Sequence, residues 1–60
     1  MEPNSDAHRV LIVDDDAQIR KLIRALLESL GTEVVAEADN GREAVQAFTD
    51  HGPDITFLDI

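Results

Sequence analysis

The sequence predicts an α/β fold: strand, helix, strand, helix, strand, with a parallel sheet in strand order 2-1-3 and one helix on each face. Three observations predict it. Residues 10–13 (VLIV) form an unbroken apolar run that ends abruptly in Asp14, Asp15 and Asp16, the pattern of a strand buried on both faces. Behind it, Ile19, Leu22, Ile23, Leu26, Leu27 and Leu30 recur at helical spacing. Two more short apolar stretches, at residues 34–36 and 55–58, are separated by a second helical pattern.

Each element has its own grounds. Residues 1–8 are polar, contain Pro3 and lack periodicity, so they read as a disordered leader before a single half-domain over 9–60. Residues 9–13 are the first strand. Asp16 can accept from the free N–H groups of the first turn of the helix that follows. That helix carries its apolar stripe on one side and Arg20, Lys21, Arg24 and Glu28 on the other, which reads as a solvated face. Gly31 ends it, since a left-handed cap favours a residue without Cβ. Residues 33–38 make the second strand. Asn40 and Glu43 then have capping-box spacing, with Asn in place of Ser or Thr. Ala44, Val45, Ala47 and Phe48 form a narrower stripe that His51, Gly52 and Pro53 stop. Residues 54–60 are the third strand. With right-handed crossovers the second and third strands flank the first.

Composition narrows the function. Sixty residues with no cysteine allow one small domain and no disulfide or thiolate metal site. Thirteen acidic against five basic residues, a net charge of −8, argue against direct binding to nucleic acid or an anionic membrane. No apolar run reaches membrane-spanning length. A cytoplasmic location is expected.

The chemistry lies at the strand ends. The 2-1-3 order puts the first and third strands side by side, so Asp14, Asp15 and Asp59 converge on one rim, where open α/β sheets bind ligands. Three carboxylates suit a hard divalent cation such as Mg²⁺, which takes oxygen ligands and keeps several waters. The His and Cys ligands expected for zinc are lacking. Beside such an ion an aspartate can attack phosphorus and form an aspartyl phosphate. Acids at strand ends also serve as caps and turn residues. Asp16 is read as a cap, and Asp39, Asp50 and Asp54 as turn and cap residues. His8 and His51 have no partner at ligand spacing and are read as solvent-exposed.

RVLIVDDD, ADNGREAV and PDITFLDI together resemble the receiver domain of two-component response regulators, over nearly all of residues 9–60. The resemblance implies the flavodoxin-like doubly wound fold, of which this βαβαβ chain matches one half. It implies that Asp14 holds Mg²⁺ largely through water, that Asp15 ligates it directly, and that Asp59 accepts the phosphoryl group from a histidine kinase, a phosphotransfer protein or a small phosphodonor. Family members have five strands and five helices. The carbonyl ligand after Ile60, the Ser or Thr of the fourth strand, the Lys of the fifth and the aromatic switch residue have no counterpart here. The expectation is a phosphoacceptor module impaired as a switch.

Two other readings stand beside it. In a half-sheet the third strand is an edge, with unpaired backbone groups along residues 55–58. The fragment is then expected to form a two-fold homodimer in which the third strands, running antiparallel, or the bare sheet faces meet, and the alternative function is a structural half-fold without phosphotransfer. A phosphate-handling α/β hydrolase also uses strand-end aspartates, but a catalytic lysine and cap segments are missing.

Overall fold

The computed structural model describes residues 8–59, with Asp59 described at the level of its backbone. The leader expected over 1–8 falls, except for His8, outside the described residues, as does Ile60 at the end of the expected third strand. The elements are β1 (Arg9–Asp14), α1 (Ala17–Ser29), β2 (Glu33–Ala38), α2 (Gly41–His51) and β3 (Ile55–Asp59). The sheet is parallel throughout, in the order β2-β1-β3. This is the α/β half-fold that the alternation of elements predicts.

β1 is central because it is apolar on both faces. Leu11, Ile12 and Val13 are fully buried, and Val10 nearly so. Val10 and Ile12, with Val34, meet Ile23 and Leu27 of α1. Leu11 and Val13, with Ala38, meet Ala36, Ala44 and Ala47 on the other side, where α2 lies. The two helices therefore cover opposite faces, as right-handed crossovers to either side of β1 require.

β2 changes phase part-way. Val10 aligns with Val34 but Leu11 aligns with Ala36, so Val35 is an extra residue in the ladder. Val34 consequently belongs to the α1 side, and Ala36 and Ala38 to the α2 side. The shift also sends Glu37 toward α1, where it pairs with two arginines.

The helix ends follow the local chemistry. Asp16 Oδ1 accepts from the backbone N–H groups of Gln18 and Ile19. After α1, the Thr32 N–H reaches the Leu27 carbonyl and the Gly31 N–H reaches Glu28, with Gly31 at φ 84°, a Schellman ending. Asn40 Oδ1 accepts from the Glu43 N–H at 2.9 Å. The return arm of this capping box goes one residue early, from the Asp39 N–H to Glu43 Oε1 at 3.4 Å. Gly52, at φ 57°, ends α2 with its N–H on the Phe48 carbonyl.

The apolar stripe of α1 is wider than the surface it covers. Ile23 and Leu27 pack on the core, whereas Leu22, Leu26 and Leu30 are each more than 60% exposed. The reason is the width of the sheet. Both helices sit over β1 and β2, and among the described residues β3 packs against β1 alone. Ile55, Phe57 and Leu58 are exposed in turn. A groove of about 410 Å³ opens between α2 and β3, lined by Val45, Phe48, Thr56 and Leu58 among others.

Candidate functional site

The strand-end acids sit where the sheet leaves off. The register places Asp14 directly beside Asp59, on neighbouring parallel strands. Asp15 follows at once as β1 ends, and Asp16 begins the turn into α1. At the backbone level the structure thus brings Asp14, Asp15 and Asp59 to one end of the sheet. The side chain of Asp59 lies outside the described residues. Among the described side chains no three His, Cys, Asp or Glu residues form a metal cage.

Asp14 is 4% exposed, the one buried charged residue among those described. Its Oδ1 accepts from the Asp16 N–H at 2.8 Å. No arginine, lysine or histidine pairs with its carboxylate among the described residues. A buried carboxylate is costly without an opposite charge nearby. Its neighbour Asp15 is exposed. One buried and one exposed carboxylate on consecutive residues, with only oxygen donors, fit a hard cation held at the rim.

Arg20 departs from the solvated face expected for it. Its side chain is 18% exposed. Its guanidinium donates to the Asp14 carbonyl at 2.6 Å and, through Nε, to Glu37 Oε1 at 3.3 Å. The other oxygen of Glu37 accepts from Arg24 at 2.6 Å, and Arg24 Nε donates to Glu28 at 3.1 Å. Hydrogen bonds to Glu37 and then Glu28 raise the Arg24 pKa above its ordinary value, so its charge is fixed. Lys21 remains exposed, as expected. One sequence signal pointed to this network. Glu37 is a lone charge between apolar residues of a strand, and such a residue needs a partner.

The other polar residues fall into structural roles. Asp54 Oδ2 accepts from the Arg9 N–H, while the Asp54 N–H donates to the Arg9 carbonyl at 2.8 Å, a clasp just before β3. Asp39 accepts from the Asn40 side chain, and Asp50 from Gln46. His8 and His51 are exposed.

The family model for the response regulator receiver domain matches residues 10–60. The chain is 52% identical over 54 residues to the chemotaxis protein CheY of Bacillus subtilis, covering 90% of this chain and 45% of that protein. It is 48% identical over 52 residues to the chemotaxis protein CheY of Thermotoga maritima, covering 87% and 43%. A putative transcriptional regulator of Pseudomonas aeruginosa is 50% identical over 52 residues, which cover 87% of this chain and 25% of that one. The chain spans less than half the length of these relatives.

Proposed function

The chain belongs to the response regulator receiver domain family, and from that premise we propose that it is a phosphoacceptor module of a two-component phosphorelay, phosphorylated on Asp59 with the help of Mg²⁺. The observation that carries the reading is the register of Asp14 beside Asp59, with Asp15 next in the chain. Asp14 and Asp15, with Asp59, are the proposed holders of the ion. Mg²⁺ bound there would supply neutralisation of charge on the transferring phosphoryl oxygens.

In the proposed transfer an Asp59 carboxylate oxygen attacks phosphorus. The new O–P bond forms as the donor's bond to phosphorus breaks, and the donor leaves with that electron pair. A phosphohistidine of a sensor kinase or phosphotransfer protein, or a small phosphodonor, fits this role. Asp14 and Asp15 would hold the cation, while Asp16 caps α1 and leaves the acid pair free of that duty. The relatives are more than twice as long as the matched stretch, and we assign these 60 residues the acceptor chemistry. A cytoplasmic setting follows from the proposed kinase partner. Among the described residues no helix is long and apolar enough to cross a membrane.

The test is incubation with acetyl phosphate or a phosphorylated kinase, read by intact mass. A gain of one phosphoryl group that needs Mg²⁺ and vanishes in Asp59→Asn is expected. A gain that survives Asp59→Asn would sink the assignment.

A second reading has its own observation. Among the described residues β3 packs on β1 alone and exposes Ile55, Phe57 and Leu58. An edge strand with apolar residues on both faces is a template for another copy. In this reading the chain is a structural half-fold that closes as a homodimer.

A further inference from the structure

Resting on the receiver reading above, we infer that Arg20 is a positioning residue for the cation site, setting the direction in which Asp15 leaves the sheet. The oxygen that Arg20 grips, at 2.6 Å, belongs to the peptide joining Asp14 to Asp15. That peptide is planar. Fixing its oxygen therefore fixes the bond that carries Asp15 away from the strand. From the other side, the Asp16 N–H holds the Asp14 carboxylate at 2.8 Å. These two bonds clasp a turn of three consecutive acids whose mutual repulsion tends to splay it.

Arg20 is itself held. Its Nε donates to Glu37, and Glu37 is shared with Arg24. Glu37 reaches these arginines because the extra residue at Val35 rotates β2 by one step. The network thus ties three elements together at the sheet end that bears the acids: the start of α1, the end of β1 and the end of β2. It also separates geometry from charge. Glu37 stays paired with Arg24 when Arg20 is removed, so that change simply takes a positive charge away from the acid pair. By charge alone that strengthens cation binding. By positioning it weakens it. The two effects have opposite signs.

Mn²⁺ is the probe, titrated into the 60-residue chain and its variants, with thermal midpoints read in the absence of metal. Arg20→Met is expected to weaken Mn²⁺ binding about tenfold, the usual range for a partner just outside a metal's ligands, while Arg24→Met stays within about twofold of the parent. Arg24→Met is the control, since it removes a charge and a Glu37 bond without touching the Asp14 carbonyl. Arg20→Lys keeps the charge but loses the fork that spans two acceptors, and about threefold weakening is expected even if Arg20→Met does not fold. Parent-like or tighter Mn²⁺ binding in Arg20→Met, or in Arg20→Lys if the former does not fold, overturns the positioning role, whatever happens to the midpoint. A different result marks failure of the underlying reading. If the parent takes up no Mn²⁺, or Asp15→Asn takes it up equally well, the acid pair is not a cation site and the role of Arg20 falls with it.

Discussion

Asp14 on β1 and Asp59 on β3 are register partners, side by side at the same end of a parallel sheet. Asp14 is also nearly inaccessible, and its carboxylate has no cationic side chain paired to it among the described residues. Burying a charge with no cationic side chain paired to it costs stability. Asn at this position keeps an oxygen to accept from the Asp16 N–H and removes the charge. Asp14→Asn is expected to raise metal-free stability by about 1 kcal/mol, a rise of about 4–8 °C in midpoint for a domain of this size. The same variant is expected to lose any stabilisation that Mg²⁺ gives the parent. Thermal unfolding followed by circular dichroism, with and without Mg²⁺, reads both effects. A lowered metal-free midpoint would mean the carboxylate serves the fold and not an ion.

Asp16 tests the division of labour among the three consecutive acids. Its carboxylate satisfies two N–H groups of the first turn of α1. Asp16→Ala is expected to cost about 1 kcal/mol, and Asp16→Asn only a few tenths. Urea titration of the two variants gives the comparison. Equal losses would show that the negative charge, and not the accepting oxygen, is what the helix start uses.

Burial separates apolar residues that look alike in the sequence. Ile12 is completely buried on the α1 side of the sheet, whereas Leu26 is 61% exposed. Ile12→Ala is expected to cost about 2–5 kcal/mol. A domain this small has about 3–9 kcal/mol in all, so much of the helical signal at 25 °C is expected to disappear. Leu26→Ala removes little contact and places a stronger helix former on the surface. Its ellipticity is expected to match the parent's.

These contrasts show where the sequence was legible. The strand order, the opposed helices and the meeting of Asp14 with Asp59 follow from short apolar runs, helical spacing and the handedness of crossovers, all local or chiral rules. The Asp16 and Asn40 caps were equally plain, because capping is decided within four residues. The Val35 bulge was not legible, since nothing in residues 33–38 distinguishes an extra residue from a regular strand. The burial of Arg20 was hidden for the same reason. Its partners, Glu37 and the Asp14 carbonyl, come to it only after the bulge turns β2 and α1 docks. The exposed side of the α1 stripe was also hidden, because periodicity says which face is apolar and not how wide the surface beneath it is.

The uncovered edge gives the prediction that separates the two readings of the chain. Phe57 aligns with Ile12 and Leu58 with Val13, so they belong to the α1 and α2 sides of the sheet respectively. A second copy pairing β3 to β3 about a two-fold axis would cover both sides at once, beside the exposed Leu22 and Leu26 on one and Phe48 on the other. Burying about 300 Å² of apolar surface on each copy yields about 15 kcal/mol at about 25 cal/mol per Å², against about 4–15 kcal/mol for lost freedom on association. The difference of about 0–11 kcal/mol corresponds to dissociation constants from about 10 nM upward, and sedimentation over nanomolar to millimolar concentration is the measurement. Phe57→Lys and Leu58→Lys are each expected to abolish association, because a charge on either face of the edge strand must be desolvated on pairing. Asp59→Asn is expected to leave it intact, since the two acidic rims of an antiparallel pair lie at opposite ends. A monomer throughout the range removes the homodimer reading and leaves the phosphoacceptor reading standing. Association that persists in both lysine variants places the contact away from β3, most directly on the exposed leucines of α1.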